Sequence, residues 1–202
     1  SQFDKQFGEE CGIVGVCGPN GDVSRLAFYG IYALQHRGQE SAGIASADGN
    51  EIKLRAGMGL VTHVFKDEDL DYLNGNTAIG HTRYSTTGTS NIKNAQPIIV
   101  DGENFKLGIA HNGNVVNSLE LKRELEELGQ DFNTSSDSEV IARIIASAPA
   151  TTWEARIAYL MRKVQGAYSL TLMTEKELIA VRDPLGVRPL CFGSVNGGWI
   201  IA

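Results

Sequence analysis

Cys11-Gly12-Ile13-Val14-Gly15-Val16 is an apolar run of strand type headed by a thiol, and only ten residues, Ser1 to Glu10, precede it. Most of those ten are polar or charged. A thiol is the best side-chain nucleophile near neutral pH, and it becomes self-sufficient when its own residue carries a free α-amino group. Such an amine, with a reference pKa of about 7.7–8.0, takes the proton that a histidine takes in a triad. Cleavage between Glu10 and Cys11 would create it. The competing reading is a core cysteine at the head of a buried strand, since free cysteine is among the most buried residue types. The segment alone leaves both open.

Outward from this run the composition is globular. The 202 residues fit one domain, with 42% hydrophobic and 21% charged residues and no low-complexity tract. A net charge of −6 offers no electrostatic footprint for a phosphate backbone, which argues against nucleic acid as a partner. No apolar run approaches the ~18 residues of a membrane span, and the polar start lacks a signal-peptide core. A cytoplasmic protein is expected. Three cysteines, Cys11, Cys17 and Cys191, form no Cys-x-x-Cys pair and no disulfide framework. Core roles are expected for Cys17 and Cys191.

Apolar patterning and turn chemistry predict strands over Ile13 to Val16, Ala42 to Ala47, Glu51 to Ala56, Thr77 to Tyr84, Pro97 to Val100 and Asn104 to His111. Four more follow: Ala167 to Thr174, Leu178 to Arg182, Leu190 to Val195 and Gly198 to Ala202. Asp48-Gly49-Asn50 is a hairpin signal. Helices are predicted from Val23 to Gln35 with Asp22 as N-cap, from Ser118 to Leu128 with Ser118 capping, from Asp137 to Pro149, and from Thr152 to Lys163. Strands and helices come in blocks, the order of an α+β protein with antiparallel sheets covered by helices rather than strictly alternating βαβ units.

Five further segments bear on Cys11. They are Gln35-His36-Arg37-Gly38-Gln39-Glu40-Ser41-Ala42-Gly43, Gly80-His81-Thr82-Arg83-Tyr84-Ser85-Thr86-Thr87-Gly88, His111-Asn112-Gly113-Asn114, Ser135-Ser136-Asp137-Ser138-Glu139 and Arg182-Asp183-Pro184-Leu185-Gly186-Val187-Arg188-Pro189-Leu190. In this order behind Cys11, the sequence closely resembles the glutaminase domain of the amidophosphoribosyltransferase family, class II amidotransferases of purine synthesis. Glucosamine-phosphate synthases are similar, but typically carry Tyr-Arg-Gly-Tyr-Asp where this chain has His36 to Glu40, and Trp where it has Tyr84.

The resemblance implies an N-terminal-nucleophile hydrolase fold, an αββα sandwich of two mainly antiparallel sheets between helical layers. It implies that residues 1–10 are a propeptide removed by autocatalysis at Glu10–Cys11, that 11–202 are the glutaminase domain, and that the C-terminal phosphoribosyltransferase domain is absent here. Cys11 would attack the side-chain amide of L-glutamine and release ammonia through a thioester, with Asn112 and the Gly113 N–H as oxyanion donors. Arg83 would hold the substrate carboxylate, Asp137 its ammonium, and Thr86 would touch substrate from a loop, Tyr84 to Gly88, that closes over it. Arg37 and Tyr84 would support the cysteine. No metal site and no cofactor is implied for this domain; the full-length enzyme, expected to be a homo-oligomer, would use magnesium and in some relatives an iron–sulfur cluster.

Each of these residues has a structural reading beside the functional one. Asn112-Gly113 suits a strand-ending turn, Arg83 a solvated charge and Asp137 a helix N-cap. His81 and His111 tempt a Cys–His reading, but strand positions favour a structural hydrogen bond. No phosphate loop occurs, and Gly57-Met58-Gly59 is not a dinucleotide fingerprint. The alternatives are the glutaminase domain of another class II amidotransferase, such as glucosamine-6-phosphate synthase, or a non-catalytic regulatory module on the same fold.

Overall fold

Strand β1 (Gly12–Cys17) feeds two different cores through its alternating faces. Val14 and Val16 pack with helix residues Ala27 and Ile31, whereas Ile13 packs toward a second sheet with Ala110 and Met173. The computed structural model describes residues 11–18, 22–84, 91–195 and 197–202. The expected propeptide and Thr86, with most of its loop, lie outside the described residues.

The first sheet joins β1 to β2 (Ser41–Ala47), β3 (Ile52–Met58), β4 (Thr77–Arg83), β9 (Phe192–Val195) and β10 (Gly198–Ile201). Its order is β3-β2-β4-β1-β10-β9, antiparallel throughout. β5 (Ile98–Asp101), β6 (Lys106–Val115), β7 (Gly166–Met173) and β8 (Leu178–Arg182) form the second, also antiparallel and in chain order. The outer face of the first sheet is covered by α1 (Val23–Ala33), with two short helices, α2 (Val61–Val64) and α3 (Asp67–Tyr72). The outer face of the second is covered by α4 (Ser118–Glu127), α5 (Asp137–Ala146) and α6 (Trp153–Lys163). The result is the expected αββα sandwich. Its inter-sheet layer is built of small and medium side chains, Ala45, Ala47, Ala110, Ile13 and Ile79 among them.

Several local expectations change. Asp22 occupies the N-cap position of α1 but makes no capping bond; its carboxylate turns to Arg25, 3.4 Å away. Asn117, not Ser118, holds the cap position of α4, and its side chain ties that turn to Lys163 and Gln165 instead. α2 and α3 were not expected from periodicity: they are short, and buried Val61, Leu70 and Leu73 fix them by packing. β6 runs past His111 to Val115, so Asn112-Gly113 lies inside a strand rather than at its end. Cys191 is exposed and Cys17 half-buried rather than core, because both sit toward the β9–β10 margin, where Cys17 pairs with Trp199.

One close approach matters for the site. A Cβ on Gly43 of β2 would stand 2.1 Å from the carbonyl oxygen of Gln96, so glycine lets the segment before β5 cross the strand in contact.

Candidate active site

The two sheets part at one end around a cleft of about 260 Å³. Cys11 reaches it from the head of β1 and Arg83 from the end of β4. Gly113 and Asn114 come from β6, and Ser135, Ser136 and Asp137 from the start of α5. Burial pushes the Cys11 thiol above its ordinary pKa; the backbone N–H of Tyr84 and the charge of Arg83 pull the other way, while Asp137 adds to the rise. Thiolate is therefore scarce in this cleft at neutral pH, and the thiol needs a base. Arg37 Nε donates to the Cys11 carbonyl at 3.3 Å, which places Arg37 against the backbone of the cysteine.

Arg83 is not a solvated charge. Its side chain is 16% exposed, with Nη1 donating to the Asn94 carbonyl at 2.8 Å and Nε lying 3.6 Å from Glu40. Asp137 is the first residue of α5, and the cap is Ser136, whose side chain accepts from the Ser138 N–H. The Asp137 carboxylate instead accepts from the Val115 N–H at 3.0 Å and lies 3.6 Å from His111 Nδ1. Burial raises its pKa, but His111 and the N–H groups of Val115 and Ser138 outweigh that and hold it below the usual carboxylate range. It enters the cleft as an anion.

Gly113 borders the cleft, whereas Asn112 is 6% exposed and does not line it. A Cβ at Gly113 would fall 2.1 Å from the Ala167 carbonyl oxygen, so β6 and β7 meet here at a distance only glycine permits. Both histidines have structural hydrogen-bond partners, and His111 also lines the cleft. His81 is fully buried, and because its Nε2 meets the His111 carbonyl at 3.1 Å it carries the proton there. Burial first, then the His111 and Arg83 charges, lower its pKa to about 3. His111 Nδ1 pairs with the Ser138 hydroxyl at 3.0 Å, and the His111 backbone N–H donates to Gln96 Oε1 at 2.8 Å. Among the described residues no three His, Cys, Asp or Glu side chains stand together as metal ligands, and no helix is long and apolar enough to cross a membrane.

Asn94 and Gln96 line the cleft as well, although nothing in their sequence marked them. They lie in a polar loop, and only the crossing of β2 brings them in. Ser135 and Ser136 precede Asp137 in sequence and join it in the lining.

Residues 81–202 match the family model described as a glutamine amidotransferase domain. The chain belongs to the glutamine amidotransferase domain family. Relatives include the amidophosphoribosyltransferase of Archaeoglobus fulgidus, 46% identical over 194 residues that cover 95% of this chain and 42% of the relative. That of Bacillus subtilis is 41% identical, covering 98% and 42%. Among solved structures, the glutamine phosphoribosylpyrophosphate amidotransferase from B. subtilis complexed with ADP and GMP superposes with a TM-score of 0.87 at 40% identity, over 95% of this chain and 41% of the other. A structure described as the allosteric regulatory enzyme of purine biosynthesis gives 0.88, also at 40% identity and over 95% and 41% of the two chains. The amidotransferase domain thus has the N-terminal-nucleophile hydrolase architecture, and it spans about two fifths of the relatives it matches.

Proposed function

We propose that residues 11–202 hydrolyse L-glutamine to glutamate and ammonia, and that the ammonia serves phosphoribosylamine formation from phosphoribosyl pyrophosphate in a full-length, homo-oligomeric amidophosphoribosyltransferase of the cytoplasm. The observation that carries this reading is the convergence on one cleft of the Cys11 thiol, a tethered cation at Arg83 and a stabilised anion at Asp137. A cation and an anion held apart beside a nucleophile match the α-carboxylate and α-ammonium of an amino acid whose side-chain amide reaches the sulfur.

In this mechanism the prosegment is first removed and the α-amine of Cys11 takes the thiol proton. The sulfur attacks the amide carbon, and the negative oxygen that develops is met by the Gly113 N–H and the Asn112 side chain. Collapse of the tetrahedral species breaks the C–N bond, and the proton carried by the amine leaves with the nitrogen as ammonia. Water then attacks the thioester and returns the proton to sulfur with release of glutamate. Asn112 takes this role from the strand position next to Gly113, although it does not itself line the cleft. Thr86 and the loop after Tyr84 complete the substrate contacts, and Arg37 steadies the Cys11 carbonyl. This reading places any magnesium ion or iron–sulfur cluster outside residues 11–202.

The test is the product balance. Protein beginning at Cys11 should yield glutamate and ammonia in equal amounts, and hydroxylamine should divert turnover to the γ-glutamyl hydroxamate, the signature of a trapped thioester. Turnover without any hydroxamate would count against the covalent route.

A further inference from the structure

Asn94 ends a single 3-10 turn, Ile92–Asn94, yet is only 7% exposed. Its backbone carbonyl accepts from Arg83 Nη1 at 2.8 Å. Its side-chain Nδ2 donates to Ser135 Oγ at 3.2 Å, and its Oδ1 accepts from the Ser135 N–H at 3.2 Å. One residue thus grips both sides of the cleft. Arg83 belongs to the first sheet, whereas Ser135 stands two residues before Asp137 on the entry to α5, which covers the second.

The turn that carries Asn94 is itself pinned. Asn91 Oδ1 accepts from the Lys93 N–H at 3.0 Å. Two residues on, Gln96 accepts from the His111 N–H, and its carbonyl rests on the bare Cα of Gly43. Asn94 is therefore a strut of fixed length between a cation and an anion.

We propose that Asn94 is a positioning residue that sets specificity: it holds Arg83 and Asp137 at the separation of an α-carboxylate and an α-ammonium borne on one carbon. The proposal rests on the assignment of those two side chains to the substrate α-groups. Arg83 presents five donors and gives one to Asn94, which fixes the plane of the guanidinium while leaving others for a carboxylate. Without the strut, each arm still binds its own group, but the pair no longer rewards a ligand that carries both.

Asn94→Ala keeps the carbonyl that anchors Arg83 and deletes the pair to Ser135. In protein beginning at Cys11, KM for glutamine should rise about tenfold, the worth of one or two hydrogen bonds, with most of the effect on KM and kcat within about threefold. Competition by glutaramate, which lacks the α-amino group, and by 4-aminobutyramide, which lacks the α-carboxylate, should weaken less than that of L-glutamate, narrowing the discrimination. Ser135→Ala removes the bonds of the hydroxyl and keeps the backbone N–H to Asn94 Oδ1, so it should give a smaller shift of the same sign and serves where Asn94→Ala does not fold; the double variant should cost no more than Asn94→Ala alone. Equal losses of kcat and thermal stability with unchanged discrimination would overturn the proposal. If Arg83→Ala destroys discrimination for the carboxylate while both strut variants keep it, the proposal fails and the substrate assignment stands. If Arg83→Ala itself leaves discrimination intact, the assignment fails first and the strut has nothing to position.

Discussion

Cys11 is buried enough that its thiol titrates above the ordinary range, and this single property makes a base necessary. Cys11→Ala should lower glutamine hydrolysis by about 10⁴-fold or more while leaving the fold intact, because it deletes the nucleophile and only a small side chain. Residual turnover within tenfold of the parent would sink the assignment. Arg83→Ala and Asp137→Ala should each raise KM for glutamine by about 10- to 100-fold, the worth of a charge-assisted hydrogen bond, with smaller effects on thermal stability. Steady-state kinetics beside a melting curve separate the two readouts. At this scale the sequence exposed the chemistry-bearing types, Cys11, Arg83, Asp137 and Gly113, because thiols, charges and tightly placed glycines announce themselves. Asn94 and Ser135 stayed illegible: amides and hydroxyls abound in loops, and only the folded path of the chain shows which of them face a cleft.

Elements were legible where a local signal set them. The β2–β3 hairpin follows from Asp48, whose Oδ1 accepts from the N–H groups of Asn50 and Glu51. α2 and α3, by contrast, are too short to show a period and exist because the first sheet offers their apolar residues a surface. The continuation of β6 to Val115 was hidden by Asn112-Gly113, a pair that usually ends strands and here sits in register with Tyr168 and Ser169 of β7. The contact between β4 and β6 through His81 has a measurable consequence. His81 is neutral when folded, with a pKa near 3 against 6.5 for the free group. Unfolding therefore takes up a proton between those values. Its share of stability is complete above pH 6.5 and is lost as pH falls toward 3, with a slope of about 1.4 kcal/mol per pH unit. Asp137, with its lowered pKa, adds loss of the same sign once pH enters the carboxylate range. Denaturant midpoints should thus fall steadily from pH 6.5 to 4.5, and His81→Gln should flatten that fall by about one proton's worth of slope. An unchanged slope in the variant would show that the ring is not held neutral.

For the whole molecule, antiparallel sheets covered by helices were readable from blocks of strands and helices and the αββα order from the family resemblance, but the placing of β10 beside β1 was not, since no local pattern names a partner across the full chain. The proposed prosegment would also act at this scale. While Glu10 is attached, the Cys11 nitrogen is an amide with no basic lone pair, so protein beginning at Ser1 should hydrolyse no glutamine. Its own thiol can attack the Glu10 carbonyl, move the acyl group from nitrogen to sulfur and be freed by water. Intact mass and N-terminal sequencing should find Cys11 first in every active preparation and Ser1 retained in Cys11→Ala. Full activity from protein beginning at Ser1 would refute this order of events.

The pairing of β1 with β10 also sets a clock on biosynthesis. The strand behind the nucleophile is made before the rest of this domain, yet Gly15, Val16 and Cys17 receive Ile201, Ile200 and Trp199 as neighbours only when the chain through Ile201 exists. At 5–20 residues per second, that interval is roughly 10–40 s. During it β1 has an open edge on a ribosome-bound chain, and the thiol lacks its finished surroundings. Under the self-cleavage proposed above, late closure of the sheet would hold back a reactive chain end until residues 12–201 are all made.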